Sequence, residues 1–475
     1  MPRESQSFCA VSIPLPEGGI FAQPPEAWAQ AWSARPGFFW FDDASDSAGE
    51  RWSFLGCDPD AEVRAVAGGG MRALAEAWRD AAPSGVPPLE GAPPFRGGWV
   101  AVLAYDLGRE IERLPERARD DLDYPALYLA RHDVCLAYRH ATRRWWAACL
   151  VPVAVPPAER PAAARDLAQR RLASRPNPAP LAPCAPPAAR VLRANVTRAA
   201  FVSAVARALE YIGAGDCYQV NLAHRLECAW PDGGWALYRR LRAESPAPYG
   251  AAVRISDGAW VASISPELFL RVRGREAVTR PIKGTRPRGA TPEADARLRA
   301  ELDASAKDRA ELTMIVDLER NDLGKVCVYG SVRVDSAGDL EAHPTVHHRV
   351  ATVRGTLLPG SGPVDWLRAL FPGGSVIGAP KIRAAQIIEE LEPVRRGPYC
   401  GAIGWLGADG DLEFNLAIRT ALVDERRAIA YYHAGAGIVA DSAPDAEYEE
   451  TLAKAAAFAG AVNGSLPPTE SPACP

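Results

Sequence analysis

Lys283 stands between Ile282 and Gly284 in the stretch Arg280-Pro281-Ile282-Lys283-Gly284-Thr285-Arg286-Pro287-Arg288. At neutral pH a lysine is an ammonium ion without a lone pair. It becomes a nucleophile only when desolvation or neighbouring positive charge lowers its pKa from about 10.4. Arg280, Arg286 and Arg288 are expected to supply that charge. The proline and glycine punctuation predicts a strand running into a turn. A solvated or phosphate-contacting basic loop is the plainer alternative for the same residues.

Two acid pairs are the next candidates. Asp308 and Glu311 are three apart, as are Glu447 and Glu450, so each pair shares one face of a predicted helix. If the helices converge, the carboxylates form a hard-oxygen site suited to Mg²⁺; otherwise they are two solvated faces. Arg419 ends a predicted apolar strand, where a guanidinium needs an anion. Lys454, four residues beyond Glu450, would neutralise that acid or reach a substrate carboxylate. His343, His347 and His348 have no metal-ligand spacing; one of them would serve as a general acid near neutrality, or all are structural. Gly435 to Ala440 matches a dinucleotide-binding fingerprint. Only 35 residues follow Ala440, too few for the required βαβ unit and further strands, so a glycine turn offering N–H groups to a carboxylate fits better.

Many short strands must position these groups. Phe38–Phe41, Arg51–Gly56, Gly97–Asp106, Val134–Tyr138 and Arg144–Ala148 read as strands, the last two as a hairpin. Short connections favour antiparallel sheets. Residues 151–190 read as a Pro/Ala-rich linker with a short helix near Ala162–Ala173. A helix from Thr197, a strand at Cys217–Ala223, a helix at Trp235–Leu241 and strands at Gly250–Ile255, Trp260–Ile264 and Leu268–Val272 lead to Lys283. Beyond it come one helix over Ala294–Leu318, strands near Val326–Val334 and Val346–Val353, and a helix from Pro380 to Leu391. Ala402–Trp405, Leu416–Leu422 and Ala428–Tyr432 read as strands and Pro444–Val462 as the last helix. The expected division is 1–150, the linker 151–190, a catalytic block 191–465 and a tail 466–475.

A chain of 475 residues exceeds one ordinary core. Its net charge of −4 gives no general attraction to nucleic acid or membrane. No apolar run is long enough to span a bilayer, and no signal peptide is visible. Ten scattered cysteines without a Cys-x-x-Cys pair point to a reduced, cytoplasmic setting.

Longer motifs occur together around these residues. They include Gly215-Asp216-Cys217-Tyr218-Gln219-Val220, Ser265-Pro266-Glu267-Leu268-Phe269 and Lys307-Asp308-Arg309-Ala310-Glu311 leading to Glu319-Arg320-Asn321-Asp322. Phe371-Pro372-Gly373-Gly374-Ser375, Phe414-Asn415-Leu416-Ala417-Ile418-Arg419-Thr420 and Gly435 to Glu450 follow. In this order they resemble the chorismate-utilising enzymes, the family of anthranilate synthase and aminodeoxychorismate synthase large subunits, over residues 195–460. The resemblance implies an α+β fold, with antiparallel sheets packed as a sandwich, helices outside and two intimately packed subdomains. It implies chorismate bound with Mg²⁺. Glu311 and Glu450 would be the principal metal ligands, with Asp308 and Glu447 nearby. Arg419, Tyr399, Gly435, Gly437, Lys454, Ser375 and Thr285 would contact substrate. Glu267 would be the acid/base, and His348 the family's active-site histidine.

Within the family, anthranilate synthases carry Pro-Ile-Ala-Gly-Thr where this chain has Pro-Ile-Lys-Gly-Thr. The lysine resembles the aminodeoxychorismate synthase branch and implies a covalent Lys283 intermediate, 4-amination and a product destined for 4-aminobenzoate and folate. No glutaminase signature is visible, so a separate glutamine amidotransferase subunit would supply ammonia. Anthranilate synthase is the first alternative. A water-using isochorismate or salicylate synthase is the second, although its lysine base would fall near Gln219. Some members hold tryptophan in a pocket that Arg51, Trp52, Ser53, Phe54, Pro248, Tyr249 and Gly250 match; Asp43 stands where their usual serine would be.

Overall fold

The computed structural model describes residues 7–467 except 46–49, 67, 80–88, 179, 182–183, 185 and 256–257. Most of the expected tail therefore lies outside the described residues. Strand pairing builds two large sheets of twelve and ten strands, antiparallel throughout. Alternating side chains from their inner faces meet in a shared core. Phe39 and Val253 of the first sheet lie in one buried cluster with Val100, Val102, Ile403 and Trp405 of the second. This is the sandwich with outer helices that the resemblance implies.

Strands from both sides of the 151–190 stretch share both sheets. Phe39–Asp42 pairs with Tyr249–Ile255 in the first sheet, and Gly98–Leu103 pairs with Ala402–Gly407 in the second. The helix Arg160–Ala173 buries Ala164 and Ala168 against Cys9, Val11 and Cys149. The hairpin Val134–Arg139 and Arg144–Pro152 forms as expected. The nine described cysteines are all free. No helix among the described residues is long and apolar enough to cross a membrane.

Four local expectations change. The helix expected over Ala294–Leu318 is two helices, Pro292–Ala304 and Ala306–Gly324. Ser305 takes extended backbone between them and its hydroxyl caps the N–H of Asp308, a bond worth about 1 kcal/mol. The strand expected from Val326 begins only at Arg333. The run Leu416–Leu422 is not one strand: Leu412–Leu416 belongs to the second sheet and Thr420–Asp424 to the first. Arg419 makes the crossing with φ 49°. The left-handed backbone costs a non-glycine residue about 1–2 kcal/mol, and a bond from the Ile264 N–H to the Arg419 carbonyl at 3.1 Å holds it. Finally, Gly435-Ala436-Gly437 is no turn but part of the strand Ile429–Ile438, paired with Gln219–Ala229.

Candidate active site

Lys283 and Glu267 meet because two strands of the second sheet deliver them. Leu268–Arg273 begins just after Glu267, and Ile282–Pro287 carries Lys283. The pairing of Ile282–Pro287 with Val346–Thr356 slips between Ile282 and Thr285. Gly284 has φ 83° in that slip, and a Cβ on it would stand 2.9 Å from the side chains of Asp308 and Leu302. Glycine satisfies both the left-handed backbone and the close helix. The Lys283 Nζ then lies 3.4 Å from the Ser375 carbonyl. Burial lowers its pKa; Lys454 pushes the same way, while Glu311, Glu267 and Glu450 oppose.

The expected role of the three arginines is corrected here. Each is turned towards carboxylates: Arg280 to Glu341, Arg286 to Glu301 at 2.8 Å and Asp308 at 3.5 Å, and Arg288 to Asp295 at 2.7 Å. Desolvation, assisted by Lys454, does what the arginines were expected to do.

Glu267 is 4% exposed. Burial pushes its carboxyl up to about 7, against the pull of Ser375, Lys283, the Ile282 N–H and Arg419. The Ser375 hydroxyl donates to Glu267 Oε1 at 2.7 Å. A carboxyl that titrates near neutrality beside a desolvated amine is equipped for general acid/base work.

The charge of Arg419 acts on both Glu267 and His348. Burial lowers the pKa of Arg419, with Tyr432 and Glu267 opposing, and among the described residues no carboxylate forms an ion pair with it. A desolvated guanidinium in that state matches an incoming carboxylate. His348 Nδ1 lies 2.9 Å from Thr285 Oγ1. Burial, together with Arg419, holds His348 well below its usual pKa. Burial thus moves this imidazole away from titration near neutrality, against the expectation of a general acid working there. His347 is bound to Asp295 at 2.9 Å. Tyr399 stacks on His433 with centroids 5.1 Å apart.

The helices bring the acids to the opposite wall. Glu311 is raised by burial, and Asp308 and Glu450 add repulsion against the pull of Lys283 and Lys307. Burial also works against ionisation of Glu450, but Lys454 outweighs it, bonded at 2.8 Å, and holds the carboxyl below its ordinary value. The same Lys454 donates to the Gly435 carbonyl at 2.9 Å. Glu447 is raised by burial, opposed by a 2.5 Å bond from Ser442. Gly437 leaves room between walls: a Cβ there would stand 2.6 Å from Gln219 Nε2 and 3.7 Å from Lys283 Nζ.

As they stand, no three His, Cys, Asp or Glu among the described residues are close enough to hold a metal ion. The chemistry of the donors nevertheless fits one: the acids are all hard oxygens, and Glu311 feels both Asp308 and Glu450 as repulsion, which a divalent cation would relieve.

Five of the seven residues matched to a tryptophan pocket, Trp52, Phe54, Pro248, Tyr249 and Gly250, line one cavity of ≈ 50 Å³ together with Asp43. All of these but Gly250 also line an adjoining cavity of ≈ 570 Å³. Arg51 and Ser53 line neither. Arg51 is bound to the Ser45 carbonyl. Ser53 lies between Asp42 at 3.1 Å and His140 at 2.8 Å.

Two residues near the site escaped sequence reasoning. Ser442 holds Glu447, and Glu319, which accepts from the Thr279 hydroxyl, feels the charge of Glu267. The position of Glu319 about three helical turns beyond Asp308, on the same face, was the available signal.

Residues 37–460 match the family model described as chorismate binding enzyme. The chain is 40% identical over 447 residues to anthranilate synthase component 1 of Streptomyces coelicolor, covering 92% of this chain and 86% of that one. It is 42% identical over 366 residues to aminodeoxychorismate synthase component 1 of Klebsiella aerogenes, covering 76% of each. Its fold superposes on anthranilate synthase component I of Streptococcus pneumoniae with a TM-score of 0.72 at 29% identity, over 88% of this chain and 93% of that one. The chain belongs to the chorismate-binding enzyme family.

Proposed function

We propose that this chain is an aminodeoxychorismate synthase large subunit, converting chorismate and ammonia to 4-amino-4-deoxychorismate. The observation that carries the reading is the desolvated Lys283 amine sharing a pocket with Glu267, whose carboxyl titrates at about 7. Arg419 takes a substrate carboxylate and orients the ring between the two walls. Neutral Lys283 forms a bond to ring C2; both ring double bonds shift and the C4–O bond breaks. Glu267 gives its proton to the departing hydroxyl, which leaves as water. Ammonia then bonds to C4, both double bonds shift back and the C2–N bond to Lys283 breaks. Glu267 takes up a proton from the added ammonium, and the released lysine returns to its amine form. Two displacements return nitrogen to C4, where one would leave it at C2. Neutral His348 and Thr285 fix the strand beside the lysine.

Glu311 and Glu450 would hold Mg²⁺, with Asp308 and Glu447 close by. When bound, the ion screens the charge of the substrate's C1 carboxylate. A separate glutamine amidotransferase subunit supplies the ammonia, and a separate lyase would release pyruvate.

Anthranilate synthase is the second reading, favoured by the similarity to the Streptomyces coelicolor protein over 92% of the chain. Incubation with chorismate, Mg²⁺ and an ammonium salt separates them. The 4-amino product without pyruvate supports the first reading; fluorescent anthranilate with pyruvate overturns it.

A further inference from the structure

Ser375 joins three side chains of the pocket. Its hydroxyl donates to Glu267 at 2.7 Å, and its carbonyl lies 3.4 Å from Lys283 Nζ. The same carbonyl has another neighbour, which the reaction above leaves unused: Asn221 Nδ2, at 3.5 Å. Asn221 stands on the strand Gln219–Ala229, and its backbone is held on both sides. Its N–H donates to the Ile377 carbonyl at 2.8 Å, and its carbonyl accepts from Arg396 Nη2 at 2.7 Å. Across the ladder it is paired with Gly437. Directly opposed residues put their side chains on one face of a sheet, and a Cβ on Gly437 would stand 3.7 Å from Lys283 Nζ. The Asn221 side chain therefore rises on the lysine side.

Only half of the Asn221 amide is engaged. A carbonyl only accepts, so the end turned to Ser375 is the NH₂ group and Oδ1 turns away from it. Oδ1 is buried and has no hydrogen-bond partner among the described residues. Gly435 keeps the space beside it, since a Cβ there would stand 2.9 Å from this oxygen. A buried acceptor left unpaired is costly, so Oδ1 suits a donor that arrives with the reaction. Chorismate brings carboxylates, which only accept, and one hydroxyl, which leaves as water in the first displacement. Ammonia is the donor that enters afterwards. We propose that Asn221 binds the incoming ammonia, its Oδ1 accepting one N–H so that the lone pair is turned to ring C4. The proposal rests on the 4-amination reading. Two nitrogens must reach C2 and C4 of one ring, and Lys283 and Asn221 are close enough to share one carbonyl. As the ammonia lone pair forms the C4–N bond, the C2–N pair returns to Lys283 and the surplus proton passes to Glu267. Asn221 neither gains nor loses a proton. Positive charge grows on the entering nitrogen, so its bond to Oδ1 strengthens during the step.

The test uses the full chain with chorismate, Mg²⁺ and ammonium salt, as the parent, Asn221→Ala and the nearly isosteric Asn221→Leu. In both variants kcat/KM for ammonia should fall by roughly 10- to 100-fold. KM for chorismate, and the Lys283 adduct seen by mass without ammonia, should match the parent. In water labelled with heavy oxygen, attack of water on that adduct returns chorismate labelled at the C4 hydroxyl. This exchange should persist in both variants while ammonia capture is lost. An unchanged kcat/KM for ammonia in either variant overturns the proposal. So does a loss of the adduct and of the oxygen exchange in step with ammonia capture, which marks Asn221 as a prop for the Ser375 wall. A parent that makes neither adduct nor 4-amino product refutes the 4-amination reading, and the proposal with it. A parent that makes both, with variants that capture ammonia normally, refutes only the role of Asn221.

Discussion

The two walls of the pocket are prepared in different ways. On the strand wall, Glu267 is bound to Ser375 at 2.7 Å, Lys283 lies behind a glycine slip and His348 is tied to Thr285. Burial shifts all three: the Glu267 carboxyl upward, the Lys283 amine and the His348 imidazole downward. On the helix wall, Glu450 and Lys454 form a pair whose side chains are 47% and 45% exposed, and Lys307 reaches Glu311 only at 4.0 Å. Such exposed pairs are worth little and rearrange readily. The difference teaches a division of labour. Under the proposed function, the strand wall would carry proton and bond chemistry, while the helix wall would carry charge that responds to what binds.

The strongest challenge to the strand wall is Lys283→Ala. It should abolish the covalent substrate adduct in intact-protein mass spectra, leaving only residual ammonia-dependent turnover. Glu267→Gln should lower kcat by roughly 10²- to 10⁴-fold in steady-state assays.

The same Glu267 substitution should show a stability effect of known sign. The folded carboxyl titrates at about 7, against about 4.3 in an unfolded chain. The folded state therefore binds the proton more tightly. Stability from this group is fully present below the unfolded value and is lost as pH rises through about 7. By linkage the loss approaches about 3–4 kcal/mol. Glu267→Gln should gain stability over the parent at pH 8 and little at pH 4, read from denaturant midpoints at both.

The helix wall should yield more gently. Glu447→Gln should raise the Mg²⁺ concentration needed for half activity by roughly 10- to 100-fold, with kcat at saturating Mg²⁺ close to the parent. The smallest effect is expected from Ser375→Ala. It removes a hydrogen bond to the ionised form of Glu267, so the pH–rate limb assigned to that carboxyl should move upward by about 1 unit.

The contrast also explains what was legible in the sequence. The acid pairs were visible because helical spacing alone sets which residues share a face. Lys283 was visible through its proline and glycine neighbours. Its electrostatic setting was not, because whether Arg280, Arg286 and Arg288 face the lysine or the acids Glu341, Glu301 and Asp295 depends on distant elements. Leu416–Leu422 reads as one apolar strand because both halves are buried, each in a different sheet. Only tertiary pairing shows that Arg419 makes the crossing. Glu319 was hidden for a similar reason: a single acid on a helix does not declare which distant element, here the strand carrying Thr279, it faces.

Product identification with free ammonia tests the central claim most directly. The purified chain is incubated with chorismate, Mg²⁺ and ammonium salt, and the products are resolved by mass and fluorescence. A covalent 4-aminating Lys283 predicts 4-amino-4-deoxychorismate, with pyruvate appearing only after a 4-amino-4-deoxychorismate lyase is added. Anthranilate accompanied by pyruvate without the lyase would contradict it.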